Sequence, residues 1–181
     1  MSVQNNHQIA VFGGGCFWCT EAIFSSLKGV KSVIPGYSGG TKVNPSYDEV
    51  SGGNTGHVEC AKIEFDPEII SFNDLLNVFF HTHDPTTLNR QGNDVGTQYR
   101  SVIFYTSLEQ KESANNFIKE LEKNHSYNKP IVTTVEPLGE FYLAEDYHQK
   151  YYENHKDAPY CQIIIEPKLE KLNTEFKELL M

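Results

Sequence analysis

Cysteine is scarce in this chain of 181 residues, with four in all, at positions 16, 19, 60 and 161. Four thiols are too few for a disulfide scaffold, and cysteines so sparse in a reducing compartment more often serve redox or metal chemistry. Basic residues are outnumbered too: 15 Lys and Arg against 24 Asp and Glu leave a formal charge of −9. With the lysines scattered, that balance argues against a nucleic-acid or anionic-membrane partner. No apolar run approaches the roughly 20 residues that cross a bilayer. Residues 1–7 hold neither the basic n-region nor the apolar h-region of a leader, so a cytoplasmic location is expected. Internal repeats and low-complexity segments are absent as well. What remains, 39% hydrophobic, is enough for one domain over residues 1–181 with a core of its own, expected to be monomeric.

The run Gly13-Gly14-Gly15-Cys16-Phe17-Trp18-Cys19 is the most distinctive stretch that is present. Residues 8–12 predict a short strand, and residues 20–28 carry apolar side chains at helical spacing before Gly29. Strand, glycine turn and helix together put Cys16 at a helix N-terminus, where unpaired N–H groups and the macrodipole lower a thiol pKa. Cys16 is therefore the candidate nucleophile. The alternative is a tight turn around a buried small hydrophobe. Against it, the adjacent Phe17 and Trp18 point in different directions on a helix, so at least one lines the turn rather than the core.

Further along, residues 30–34 predict a strand, and residues 35–56, rich in Gly, Pro, Ser, Asn and Tyr, predict a long loop of the kind that usually carries function. Residues 57–65 alternate, with His57, Glu59, Ala61, Ile63 and Phe65 on one face and Val58, Cys60, Lys62 and Glu64 on the other. Ser71-Phe72-Asn73-Asp74 has capping-box spacing and opens a helix that ends near His83-Asp84-Pro85. After an irregular stretch over 86–96, residues 98–106 predict a strand, Ser107 caps a helix, and residues 131–135 predict a strand stopped by Pro137. Residues 147–156 read as helical, Tyr160-Cys161 ends a loop, and residues 168–180 make a terminal amphipathic helix. The expected class is α+β, a ferredoxin-like two-layer α/β sandwich with a mixed sheet and two long functional loops.

A thiolate attacks many electrophiles, so its neighbours decide which. Glu59, on the apolar side of its strand, would be partly desolvated and usable as a general acid near neutral pH; equally, it could be a solvated carboxylate at a strand start. Among the loop tyrosines, Tyr47 and Tyr99 stand out for their glycine- and asparagine-rich surroundings, while most of the others should bury a ring and satisfy a hydroxyl. Glu21 is most simply a first-turn residue favoured by the helix dipole. His81, His83 and His57 invite a metal reading, but a single Cys-x-x-Cys pair without a second ligand pair fails the spacing of a structural zinc site.

The segments Gly15-Cys16-Phe17-Trp18, Gly36-Tyr37-Ser38-Gly39-Gly40, Asn44-Pro45-Ser46-Tyr47, Thr55-Gly56-His57-Val58-Glu59, His83-Asp84-Pro85 and the run from Arg90 to Arg100 stand in the order of one known family. Along nearly its whole length the chain resembles the peptide methionine sulfoxide reductase A family. The resemblance implies that Cys16 attacks the sulfur of a methionine S-sulfoxide, while Phe17, Trp18 and Tyr160 form an apolar pocket for its methyl group. Glu59, Tyr47 and Tyr99 match positions that hydrogen-bond and protonate the sulfoxide oxygen, and Asp94 matches a residue that organises the site. The implied product on the enzyme is a sulfenic acid, which a second thiol can condense with to a disulfide. Cys161 matches the resolving cysteine of the best-known branch. This chain departs from that branch in having Cys19 where it has glycine, and in lacking its glycine-rich tail with a further cysteine, so Cys19 is a second candidate. The implied substrates are oxidised proteins or peptides and free methionine S-sulfoxide, with thioredoxin as electron donor and no cofactor or metal. Two other functions fit the residues: a thioredoxin-like disulfide oxidoreductase using Cys16 and Cys19 as its dithiol, and a zinc-stabilised binding module.

Overall fold

In the computed structural model, which describes residues 6–181, alternation of side chains along three neighbouring strands builds the core. Strands β1 (Gln8–Gly13), β3 (Val58–Phe65) and β6 (Val102–Tyr105) turn Ala10, Phe12, Ile63, Phe65 and Ile103 toward one face. Val11, Val58, Cys60, Val102 and Phe104 face the other side. Helices α1 (Phe17–Ser25), α3 (Phe72–Thr82), α4 (Leu108–Lys123) and α6 (Glu166–Glu175) cover the first face, with Phe12 stacked on Phe79 at 4.8 Å. Each large side chain buried there contributes about 1.5–3 kcal/mol. The two shortest helices, α2 (Tyr47–Ser51) and α5 (Tyr151–Asn154), lie in connecting segments.

With β2 (Val30–Ser38), β7 (Thr134–Pro137) and β8 (Tyr142–Leu143), the sheet has six strands in the order β7-β6-β1-β3-β2-β8. All neighbours are antiparallel except β6 and β7, so the sheet is mixed and the fold is α+β. A separate hairpin joins β4 (Arg90–Gln91) to β5 (Asp94–Val95). No helix among the described residues is long and apolar enough to cross a membrane. Residues 1–5, part of the segment examined for leader features, lie outside the described residues.

Several sequence expectations shift. The strand expected to stop at Ile34 runs on through Pro35 to Ser38, because proline lacks only the donor: the Pro35 carbonyl still accepts from Ala144 N at 3.0 Å. The expected loop over 35–56 therefore holds the end of β2 and also α2, which Ser46 and Glu49 close in a capping box. Residues 97–99 form a 3₁₀ turn ahead of a shorter β6. The strand expected at 131–135 starts at Thr134 and includes Pro137. Residues 147–156 are not one helix but a 3₁₀ turn and the single turn α5, separated by Lys150 in the left-handed region with φ 53°. The terminal helix begins at Glu166, directly after a π-helical turn over Cys161–Ile165, and ends at Glu175.

Gly36 pairs with Leu143 across the β2–β8 edge, and a methyl group there would run into the Phe141 ring and the Tyr142 carbonyl. Gly36→Ala should therefore push β8 off the sheet and cost about 1–3 kcal/mol in denaturant unfolding. An unchanged midpoint would show that β8 detaches without penalty.

Candidate active site

The glycine turn fixes where the first thiol stands. A Cβ at Gly13 would strike Val58 and Val102 on the two flanking strands, and Gly15 has φ +98°, a conformation that side chains avoid. The chain leaves the sheet there and Cys16 becomes the residue before α1, with no side-chain cap. A helix start needs acceptors for its free amides. One comes from the sheet: Phe17 N donates to Oε2 of Glu59 at 3.2 Å. Glu59 sits on β3, 2% exposed, on the face anticipated from the alternation. Burial raises its pKa to about 8, against the pull of the Phe17 amide and with a further push from Asp94. Most of it is a neutral carboxylic acid at pH 7.

The low-pKa thiolate expected at Cys16 is not what the structure supports. Burial pushes the thiol well above its ordinary value, Glu59 and Cys19 add to the rise, and the Tyr160 hydroxyl and the Trp18 amide oppose it. Desolvation by burial is the largest influence and outweighs the helix start even with the Trp18 amide bonded to the thiol. While Glu59 keeps its proton, however, its repulsion of a thiolate is absent. The resting pair is a neutral thiol beside a neutral acid.

Tyr160 links the thiols to the β4–β5 hairpin. Its hydroxyl donates to Oδ2 of Asp94 at 3.3 Å and lies 3.8 Å from Cys19 Sγ. Tyr47, at the start of α2, and Tyr99, at the end of the 97–99 turn, complete the group. Burial raises both phenols, and Glu59, Asp94 and Cys16 all raise them further, so the expected polar residues share one electrostatic neighbourhood. All four cysteines are free, and Cys16 alone is partly exposed. Cys161, expected in a mobile loop, is instead fully buried at the start of the π-helical turn, packed with Cys19 and Ile165. The physical reason is that Ile165 seals it against α1, while Gln162 N already bonds Ala158 O in helical fashion. Cys60 is buried on the opposite sheet face.

Trp18 and Tyr160 stand edge to face at 5.6 Å. Phe17, expected beside them, is 1% exposed and backs the site against Tyr37, Val50 and Ala144. The segment that holds Trp18 was not among the expected site residues. Its indole N–H donates to Nδ1 of His148 at 3.1 Å, and its ring lies flat on Tyr151 with centroids 3.6 Å apart. His148 also packs on Phe17 and Tyr47. Glu145 accepts from the Tyr37 hydroxyl, the Tyr47 amide and the Tyr147 hydroxyl. Glu21, expected in the first turn of α1, lies beyond it, buried, and accepts from Lys150 N at 2.8 Å. The one available signal was the density of aromatic and hydrogen-bonding residues from Glu145 to Tyr152. His81 and His83 direct Nδ1 to carbonyls of their own helix, and no cluster among the described residues is arranged to hold a metal.

Comparison with known proteins gives a consistent result. The model of the family described as "Peptide methionine sulfoxide reductase" matches residues 8–180. A peptide methionine sulfoxide reductase MsrA from Polynucleobacter asymbioticus is 53% identical over 171 residues, covering 94% of this chain and 90% of that protein. Among solved structures, reduced Mxr1 from Saccharomyces cerevisiae superposes with a TM-score of 0.79 at 30% identity, over 89% of this chain and 92% of that one. The structure of Mxr1 in complex with Trx2 has a TM-score of 0.55 at 21% identity, over 83% and 88% of the two chains, and shares the fold.

Glu59 holds a proton in the folded protein that it releases on unfolding, because its folded pKa, about 8, exceeds the ordinary 4.5. Stability contributed by that group therefore falls as pH rises between those two values. Glu59→Gln, neutral throughout, should melt higher than the parent, with a gap that widens across this window. A gap independent of pH would show that the buried acid is not protonated.

Proposed function

The chain belongs to the peptide methionine sulfoxide reductase family, and from that premise we propose that Cys16 reduces methionine S-sulfoxide, free or within proteins, with Glu59 as its acid. The observation that carries this is the neutral Glu59 carboxyl anchored at the start of α1, beside the one partly exposed cysteine. A sulfoxide is a poor electrophile until its oxygen is protonated. A carboxylic acid flanked by the phenols of Tyr47 and Tyr99 binds that oxygen more strongly as it gains charge and protons, which stabilises the transition state over the ground state. Giving up its proton would leave Glu59 charged, and the oxygen it protonates leaves the methionine. In balance, thiol and sulfoxide become sulfenic acid and thioether: the Cys16 sulfur gains the oxygen and the methionine sulfur gains an electron pair. Trp18 and Tyr160 hold the methyl group, Phe17 supports that wall, and Asp94 orients Tyr160 through their hydrogen bond.

The sulfenic acid then condenses with a second thiol, releasing water and forming a disulfide. Cys161 takes this role, with Cys19 as relay. In support, Cys16 packs against the cluster that holds both, and Cys161 begins a π-helical turn, a rare geometry concentrated at functional sites. A dithiol of the thioredoxin class reduces the disulfide and is itself oxidised. Such a donor belongs to a reducing compartment, which supports a cytoplasmic location. The strand order β6-β1-β3-β2, entered as β1-α1-β2-β3-α3-β6, supports the ferredoxin-like arrangement within a single domain.

Single-turnover methionine release without reductant isolates the first step. The S epimer should react and the R epimer should not, since a methyl pocket and an oxygen site together fix the configuration at sulfur. Glu59→Gln should slow that release by about two orders of magnitude. Equal rates for both epimers, or an unchanged rate in the variant, would overturn the assignment. Non-reducing peptide mapping after one turnover should find Cys16 bonded to Cys161, and Cys161→Ser should lose thioredoxin-dependent turnover. A bond from Cys16 to Cys19 with full activity in Cys161→Ser would make the Cys-x-x-Cys pair the recycling device.

A further inference from the structure

Glu21 stands one helical turn after Trp18 on α1, so both side chains meet the same stretch of chain, residues 148–151. That stretch is clasped at three points. The Trp18 indole N–H binds His148, the indole plane lies against Tyr151 with an interplanar angle of 4°, and the Glu21 carboxylate accepts from the backbone N–H of Lys150, which lies between them. Lys150 is in the left-handed region, φ 53° and ψ 36°, a conformation that a side-chain-bearing residue keeps only where its surroundings over-determine it. Glu21 is 5% exposed, and a buried carboxylate needs partners of this kind to stay.

We propose that Glu21 is a positioning residue for sulfoxide reduction: by holding the Lys150–Tyr151 backbone, it keeps Tyr151 flat on Trp18 and so fixes the indole that receives the substrate methyl group. This rests on the assignment of Trp18 to the methyl pocket. An ionised carboxylate offers lone pairs on both oxygens to the amides of this turn, whereas protonation removes one acceptor. Burial lifts the Glu21 pKa to about 7, with the Lys150 and Tyr151 amides opposing, Glu153 adding to the rise and the Lys150 ammonium reducing it. Tyr152 and Lys156 from the clasped side, and Lys31 from β2, line the same hollow. The clasp is therefore firm above neutrality and weakens as pH falls through about 7.

Trp18 is the only tryptophan, so its fluorescence reports the stack directly. Emission and acrylamide quenching are followed from about pH 5 to about pH 9 in the reduced full-length protein, for the parent, Glu21→Gln and Glu21→Ala. In parallel, kcat and KM are measured for a methionine S-sulfoxide peptide with dithiothreitol. The parent should show a quenching transition near pH 7 that Glu21→Gln lacks. A separate step at lower pH from His148, whose pKa burial depresses, should persist in both. Glu21→Ala should expose Trp18 at every pH and lower kcat/KM about tenfold, chiefly through KM and without changing alkylation of Cys16, while Glu21→Gln recovers most of that loss. A transition that survives in Glu21→Gln overturns the proposal, and this holds even if Glu21→Ala fails to fold. So does unchanged kcat/KM in Glu21→Ala when Trp18→Ala is impaired. Unchanged turnover in both Glu21→Ala and Trp18→Ala overturns the pocket assignment instead.

Discussion

The hydrogen bond from the Phe17 amide to Glu59 is the constraint on which the site depends. It ties the first residue of α1 to the middle sheet strand β3, so the helix start that carries the thiol cannot drift from the acid. It also bears on the chemistry of the acid, whose pKa it pulls down against the effect of burial. One amide is enough to keep a buried carboxyl in place but not enough to keep it ionised at neutral pH. Cys16 starts as a thiol and not as a thiolate chiefly because burial strips it of water, with Glu59 and Cys19 adding to the effect. A neutral thiol and a neutral acid thus lie side by side, each kept so chiefly by burial.

Around this bond the site gathers from distant parts of the chain. The hairpin supplies Asp94, the segment beyond β2 supplies Tyr47, and the stretch from Glu145 to Tyr160 supplies the partners of Trp18 and the hydroxyl that reaches Cys19. Glu145 alone ties β2 and α2 to its own stretch through Tyr37, Tyr47 and Tyr147. The aromatic wall is rigid on the side of α1 because its ring planes are fixed by hydrogen bonds as well as by packing.

How much of this was legible followed from how local each signal is. Strand, glycine turn and helix around Cys16 could be read because three short-range rules coincide within a few residues, and the inward face of Glu59 followed from the two-residue period of a strand. The start of α2 was legible too, since Ser46 and Glu49 have the same spacing as Ser71 and Asp74, but the surrounding glycines and prolines drew attention to the loop. The roles of His148 and Tyr151 were not, because their partner Trp18 is remote in sequence, 130 residues from His148, and nothing near them announces it. Helix-dipole reasoning about the Cys16 thiol failed for a different reason: it considered the charge on the helix and not the water lost on burial.

The π-helical turn at Cys161 has a kinetic consequence. A buried thiol packed with Ile165 and Cys19 at the start of this turn needs a local opening before it can serve as the proposed partner of the Cys16 sulfur. With Cys161 as the proposed resolving thiol, the second half of each catalytic cycle includes a local opening with its own free energy and heat-capacity signature. Osmolytes, which strengthen burial and so oppose such an opening, would retard regeneration more than oxygen transfer. The working tempo of the protein would then be set by the local stability of one helical turn as much as by the reactivity of its sulfur.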